Sequence, residues 1–206
     1  MAPKIEQALS LIDEGHSNDP RKTSSGEPYE LHYAQRMTHY LDLHTPDSSP
    51  LLQVAVRAQH FRRWEVPRDS YPKTRPGYFA WRTFLKKRQA EQVQQICLTC
   101  GFTEEEAGRV ASLIAKEELK KGEGKGDAEA QVLEDCACLV FLDDQFEHYE
   151  DKWAQEHGSQ EEADEKMVSI LRKTWVKMGK RGQDLALQLN LSDKAKELVG
   201  KALAEQ

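Results

Sequence analysis

The sequence predicts an all-α protein, a single domain of about seven to nine helices. Apolar residues recur at helical spacing in nearly every segment, and no segment shows the strict apolar–polar alternation of a half-buried strand. The chain of 206 residues is long enough for one domain with a full hydrophobic core. Its 38% hydrophobic and 31% charged residues fit helices that expose wide polar faces.

Proline and other helix breakers divide the first third of the chain into three predicted helices. The first ends at "GHSNDP". The second has Pro28 at its first position and ends before Pro46. The third carries an apolar stripe as far as Phe61 and ends at Pro67. The apolar face of the second helix consists of Ala34, Met37 and Leu41.

Local start signals predict the helices of the middle third. After the proline-rich loop "PRDSYPKTRPGY", a fourth helix is expected over about residues 79–100. Thr103 and Glu106 have the spacing of a capping box that opens a fifth. Asp127 is the expected N-cap of a sixth helix, which runs to about Tyr149.

The last quarter of the chain is predicted to be a helical extension. Ser159 and Glu162 form a second capping box, and "GKRGQ" ends the helix that follows. One or two short helices then complete the chain. The almost wholly polar stretch "EHYEDKWAQEHGSQEEADEK" marks a soft boundary, so we expect a helical core over 1–150 and an extension over 151–206 that packs on it.

Composition argues against a membrane or secreted protein. No apolar run approaches the ~20 residues that a membrane span needs. The N-terminal "MAPKIEQALSLIDEG" carries acidic residues and lacks the apolar core of a signal peptide. Four cysteines without a secretory signal indicate reduced thiols, so we expect a cytoplasmic protein.

The cysteines suggest one alternative, a zinc site built from Cys97-x-x-Cys100 and Cys136-x-Cys138. The first pair has the spacing of half a zinc site. In the second pair, a helix would point the two thiols about 200° apart, which disfavours joint coordination. Small buried cysteines are the simpler interpretation.

Positive charge is concentrated in one segment of an acidic protein. The stretch from Arg57 to Arg88 contains ten Lys and Arg against Glu65 and Asp69, a net charge of +8 in a chain of net charge −6. The remainder is therefore −14. Such an island favours a local anionic ligand, whereas the simpler interpretation is a solvated basic surface.

Polar residues with helical spacing mark candidate site faces on two helices. On the second helix, His32 and Arg36 lie one turn apart. On the third, Arg57, His60 and Trp64 follow at i, i+3 and i+7. Each histidine alone is as readily explained as a hydrogen-bonded core residue.

A carboxylate lies inside an apolar stripe of the sixth helix. Asp135 falls on the same face as neighbouring core positions, where an unpaired charge is costly. It therefore needs a partner, either a structural ion pair with Arg57 or Arg63 or a metal shared with His32 and His60.

Four segments resemble, in order and approximate spacing, the metal-dependent HD-domain phosphohydrolases. They are "ELHYAQRM", "RAQHFRRW", "LIAKE" and "QVLEDCACLVFL". The resemblance implies an HD-like helical domain in which His32, His60 and Asp135 hold one divalent metal ion (Mn, Fe, Ni or Zn). The aspartate that follows the histidine in that family is replaced here by Phe61, which argues against a two-metal mechanism.

The same resemblance suggests roles for "LIAKE". Glu117 is the expected ligand or general base and Lys116 a phosphate contact, at positions where many of these enzymes have a histidine. The expected substrate is a phosphorylated small molecule or nucleotide. Arginine suits planar phosphate recognition and aromatic rings suit stacking on a base. The expected ligand-binding residues are Arg36, Arg57, Arg63, Trp64, Arg68, Tyr71 and Arg82.

Two rival functions use the same residues. A catalytically inert module would bind an anion or nucleotide directly, without a metal. An RNA-binding protein would use the basic island, although net acidity and the lack of a recognised RNA module argue against it.

A more specific resemblance is to an uncharacterised domain family of bacteria and fungi. It rests on "LHYAQRM", "RAQHFRRWEVPR", "GYFAWR" and "LEDCACLVFL" and covers roughly residues 1–190. Some fungal members are labelled as resembling glutamyl-tRNA synthetase. The nucleotide-binding α/β domain and HIGH-type motif of such an enzyme do not appear in the sequence.

Overall fold

The protein is described by a computed structural model that covers residues 2–117, 119, 126–146 and 159–204. The described residues form nine α-helices and no strand, which confirms the all-α prediction. The helices are α1 (Ala2–Ser17), α2 (Tyr29–His44), α3 (Pro50–Arg57), α4 (Arg75–Thr99), α5 (Glu104–Ala115), α6 (Ala128–Val140), α7 (Gln160–Trp175), α8 (Lys180–Ala186) and α9 (Asp193–Ala204).

Side-chain caps begin most of these helices, as local sequence predicts. Thr103 and Glu106 form the reciprocal capping box at the start of α5. Asp127 accepts hydrogen bonds from two backbone N–H groups of the first turn of α6. Ser159 accepts from the N–H of Glu162 at the start of α7. These three predicted starts are confirmed, and each depends on residues only two or three positions apart.

The core lies between α1–α6, and α7–α9 close one side of it. The longest helix, α4, packs chiefly against α5, while α2 packs against α3 and α6. Helix α8 contacts α6, and α9 packs on α7. Fully buried side chains come from both parts of the chain; the largest include Ile12, Met37, Leu52, Leu113, Leu139, Phe146, Met167 and Leu198.

The third helix is shorter than predicted. It ends at Arg57, and the chain then enters the left-handed region at His60 (φ 64°) and at Arg62 (φ 49°). Left-handed backbone interrupts the helical hydrogen-bond ladder, and a 3₁₀ turn over Arg63–Glu65 follows. The prediction that Arg57, His60 and Trp64 share one helix face is therefore wrong.

Helix α4 begins one turn earlier than predicted. Thr74 caps it by accepting from the N–H of Gly77. A side chain at Gly77 would place its Cβ 2.2 Å from the carbonyl oxygen of Pro72, so only glycine allows the loop to lie this close to the helix. The loop before α4 contains a 3₁₀ turn over Arg68–Ser70.

Helix α6 passes into a π-helical turn over Phe141–Gln145. The predicted end of this helix near Tyr149 and most of the polar boundary segment lie outside the described residues. The division into 1–150 and 151–206 stays a prediction.

Among the described helices, none combines the length and apolar character that crossing a bilayer requires.

Candidate anion-binding site

A cavity of about 230 Å³ opens where three parts of the chain meet. The segment after α1, the first turns of α2 and the left-handed segment after α3 each contribute side chains to its wall. The lining residues are Arg21, Tyr29, Glu30, Tyr33, His60 and Arg63. Two of the predicted site residues, His60 and Arg63, therefore lie together.

His60 is held as a neutral imidazole in the cavity wall. Its ring stacks on Tyr33 with centroids 4.6 Å apart, and Nη1 of Arg63 lies 3.1 Å from its Nε2. Because a guanidinium only donates, Nε2 accepts and the ring proton sits on Nδ1. Burial lowers the pKa of His60 well below its ordinary value, and the positive charges of Arg63 and Lys116 lower it further.

Arg63 is a half-buried cation without a carboxylate partner among the described residues. Its guanidinium stacks 4.7 Å above the ring of Trp81 and donates to His60. Burial lowers the pKa of this guanidinium, and the nearby charge of Arg82 lowers it further. By contrast, Arg57 is held by both oxygens of Asp13, at 2.6 and 2.8 Å.

Glu30 connects two segments of the cavity wall. Its carboxylate is 2% exposed and accepts from the backbone N–H of Trp64 at 2.9 Å. It also lies 3.5 Å from the guanidinium of Arg21. That guanidinium donates two hydrogen bonds to Asp19, at 3.0 and 2.8 Å. These contacts tie the segment that contains Arg63 to the first turn of α2.

His16 lies between Glu30 and the end of α3. Its Nε2 lies 3.0 Å from the carbonyl oxygen of Arg57, so this nitrogen must donate. Its Nδ1 lies 3.4 Å from Glu30. His16 therefore joins the first turn of α2 to the end of α3.

Additional cations surround the cavity. Arg82 and Lys116 both lie close enough to disfavour the charged form of His60. Burial lowers the pKa of Lys86, and the charges of Lys116 and Arg82 lower it further. Glu134 opposes them: burial raises its pKa, but Lys116, with which it forms an ion pair, more than offsets that and holds the pKa below its usual range.

Backbone strain is concentrated around this site. Among the described residues, three that are not glycine have positive φ: His60, Arg62 and Lys116. His60 lines the cavity, and Arg62 lies between His60 and Arg63 in the sequence. The charge of Lys116 lowers the pKa of His60. Left-handed backbone costs an ordinary residue roughly 1 kcal/mol or more, so it persists where surrounding contacts impose it, often at functional sites.

Several predicted site residues lie outside the cavity wall. His32 contacts Asp144 at 2.8 Å, and Arg36 pairs with Asp143, so both face the π-helical turn. Glu117 is exposed just after α5.

Three further side chains of the basic island make contacts within the fold. Trp64 uses its backbone N–H on Glu30. Arg68 donates to the carbonyl oxygens of Tyr71 and Pro72, both at 2.8 Å. Trp81 is buried and donates its indole N–H to Val66 at 2.9 Å, which makes it a structural platform under Arg63.

Asp135 is buried and partnered, as its place in an apolar stripe requires, but the expected partner is wrong. Its carboxylate lies 2.9 Å from Nε2 of His44 and accepts from Gly179 N–H at 2.9 Å and from Gln131 at 2.8 Å. Arg57 and Arg63 have other partners, as described above. Asp135 therefore joins the end of α2 to the segment before α8.

The expected metal ligands have separate partners: Asp144 for His32, Arg63 for His60 and His44 for Asp135. Across the part of the chain that the structure describes, no three His, Cys, Asp or Glu side chains are placed to hold one metal ion. Among the described residues, these donors are therefore not arranged to hold one metal ion together.

The four cysteines are free thiols. Burial raises the pKa of both Cys97 and Cys138 to about 12 and also raises that of Cys100 and Cys136. Cys97, Cys136 and Cys138 lie in the hydrophobic core and Cys100 packs against it, which is the place of small apolar residues.

Sequence reasoning missed four cavity residues: Arg21, Tyr29, Glu30 and Tyr33. Glu30 carried a usable signal, because it lies four residues before Ala34 and so falls on the apolar face of α2. The same argument that singled out Asp135 applies to it. Arg21 lies in a loop, where no periodicity marks it.

Comparison with known proteins supplies a family. The sequence model of the family described as "domain of unknown function (DUF4202)" matches residues 6–199, and the chain belongs to that family. No curated protein and no solved structure matches the chain.

Proposed function

We propose that this protein is a cytoplasmic module that binds the phosphate group of a phosphorylated small molecule or nucleotide in the cavity, with Arg63 as the principal contact. The observation that carries the proposal is the half-buried guanidinium of Arg63, which lines the cavity without a carboxylate partner among the described residues. Burying a cation without a counter-ion is costly, and an anionic ligand would supply the missing charge.

Arg63 is suited to hold a phosphate group in this wall. The planar guanidinium of Arg63 offers several N–H donors to phosphate oxygens, and its contacts with Trp81 and His60 fix the plane of the group. Arg21 lies on the same wall, but Asp19 and Glu30 already balance its charge, so Arg63 is the principal cation for a ligand there. The neutral His60 orients Arg63 without adding a competing charge.

The proposal is tested with inorganic phosphate as the probe. We expect phosphate to raise the melting temperature of the wild-type protein in a thermal-shift titration, and Arg63→Gln to lose most of that shift. Arg88→Gln is the matched control, since Arg88 belongs to the same basic island but pairs with Glu65. A phosphate shift that survives in Arg63→Gln, or that is absent from the wild type, contradicts the proposal.

The hydrolase form of the proposal requires a metal ion and stays a prediction. The partners of His60 and Asp135 favour the non-catalytic binding module over it. Elemental analysis of protein purified without chelator or affinity-tag metal tests the point. About one equivalent of Mn, Fe, Ni or Zn in the wild type, lost in His60→Ala, would restore the hydrolase as the leading function.

A further inference from the structure

One face of α4 carries both cations and exposed aromatic rings. Arg75, Tyr78, Phe79, Arg82 and Lys86 follow at i, i+3, i+4, i+7 and i+11, which places them on one side of the helix. We call this surface the α4 stripe. At 1.5 Å per residue it is about 16 Å long, longer than a single phosphate group needs.

The aromatic members of the stripe are unusually exposed. Tyr78 and Phe79 are 41% and 55% exposed and pack edge to face, with ring centroids 5.8 Å apart. Neither ring is needed to fill the core, which is closed beneath α4 by Trp81 and Leu85. Two adjacent exposed rings therefore offer flat apolar surface to a partner.

The cationic members have no carboxylate partner among the described residues. The guanidinium of Arg75 lies 5.8 Å from the ring centroid of Phe79, and that of Arg82 lies 6.0 Å from the centroid of Tyr78. Burial lowers the pKa of Lys86, the charges of Lys116 and Arg82 lower it further, and the carboxylate of Glu134 partly offsets them. The stripe thus combines free positive charge with stacking surface.

The stripe leads directly to the cavity. Tyr78 lies 6.0 Å, centroid to centroid, from Trp81, on which Arg63 stacks. Arg82 also contributes to the positive field at His60 and Arg63. The first turn of α4 and the cavity wall therefore adjoin at the ring of Trp81, which is itself buried.

We infer that the ligand of this protein is the phosphorylated end of a single-stranded nucleic acid, with the terminal phosphate on Arg63 and the adjoining bases and phosphates on the α4 stripe. The inference rests on the proposed phosphate site. Single strands are bound by a cationic track that follows the backbone and by aromatic rings on which bases stack, and the α4 stripe has both.

Two features favour a nucleic acid over an acidic peptide. First, flat rings flanked by guanidinium groups suit stacking of bases, which are planar. Second, the stripe lies on the convex side of a helix and offers no groove for the side chains of a peptide. The overall charge of −6 does not prevent binding, because at physiological salt charges more than about 8 Å away are largely screened.

The test uses fluorescence anisotropy with 3′-labelled hexauridylate and hexathymidylate, each with and without a 5′-phosphate. We expect the 5′-phosphorylated strands to bind more tightly, and their relative affinities tell RNA from DNA. Tyr78→Ala/Phe79→Ala should weaken binding about tenfold or more. The matched control is Phe84→Ala, another exposed phenylalanine of α4 that lies off the stripe against Tyr71.

Charge variants give a second, independent readout. Three phosphate contacts on the stripe and one on Arg63 predict that the affinity falls with salt with a log–log slope of about −3, and Arg75→Gln should reduce its magnitude by about 0.7. Lys87→Gln, which alters an exposed lysine that lies off the stripe and pairs with Glu91, should leave the slope unchanged.

The outcomes separate this inference from the proposed function. If inorganic phosphate binds through Arg63 but the hexamers bind no tighter than uridine monophosphate, the inference is overturned and the phosphate site stands. Wild-type affinity in Tyr78→Ala/Phe79→Ala also overturns it, as does binding of an acidic peptide in place of the strands. If phosphate itself fails to bind, the proposed function falls, and the terminal phosphate site of this inference falls with it.

Discussion

The guanidinium of Arg63 donates a hydrogen bond to Nε2 of His60 over 3.1 Å, and this contact fixes the histidine in its neutral form. Protonating His60 would place a second positive charge against Arg63 in a partly enclosed site. The pair therefore presents a single cationic group to the cavity.

We expect the stability of the wild-type protein to fall relative to His60→Gln as the pH drops below about 6.5. The pKa of His60 in the folded state lies well below its unfolded value. Below about pH 6.5 the unfolded chain therefore binds a proton at His60 that the folded chain does not bind, which favours unfolding. Above that pH both states are neutral and this contribution is constant. Melting temperatures of the two proteins between about pH 5 and pH 8 measure it; parallel curves would contradict the prediction.

Arg63→Gln should unfold at the same temperature as the wild type or at a higher one. The substitution removes a poorly compensated buried charge, although it also loses the stacking on Trp81. Arg57→Gln is the contrasting variant and should melt lower, because it leaves Asp13 without its two hydrogen bonds. Differential scanning calorimetry without phosphate makes the comparison. A strongly destabilised Arg63→Gln would indicate that Arg63 is mainly structural.

Phe61→Asp, which restores the aspartate of the HD-family pattern, should destabilise the fold by at least about 3 kcal/mol and bind no metal. The ring of Phe61 is 2% exposed and packs edge-on against His16, where a carboxylate would be buried. Phe61→Leu is the control and should lose less stability. Chemical denaturation with elemental analysis measures both properties; a folded variant that acquires a metal ion would overturn this account of Phe61.

Gly182→Ala should destabilise the protein by about 1–3 kcal/mol. The added Cβ would lie 2.6 Å from Cγ of the buried Asp135. Gly108→Ala, where nothing lies within 4 Å of the new Cβ, is the matched helical control and should gain up to about 1 kcal/mol. Urea denaturation distinguishes them, and equal effects from both substitutions would show that the contact with Asp135 has relaxed.

The helical architecture could be predicted from the sequence because its signals are local. Thr103, Asp127 and Ser159 each cap a helix through neighbours two or three residues away. The end of α3 could not be predicted in the same way. His60 and Arg62 adopt left-handed backbone without the glycine that usually marks it, since tertiary contacts impose that conformation.

The candidate site was predicted only in part for a related reason. Periodicity shows that Asp135 is buried and needs a partner, but His44 is 91 positions away in sequence and only the packing of α2 on α6 brings it close. His60 and Arg63 were predicted as individual residues. Their joint cavity with Arg21 depends on a loop whose course no spacing rule gives.

The carboxylate of Asp135 also bears on how the protein unfolds. It accepts hydrogen bonds from both sides of the predicted 1–150/151–206 boundary, from His44 and from the backbone N–H of Gly179. Separating α8 from α6 would strip a buried charge of one of its donors, so detachment of the C-terminal helices on their own is costly. The two parts should therefore melt in one cooperative transition, and the Gly179 amide should exchange its hydrogen at the rate set by global unfolding.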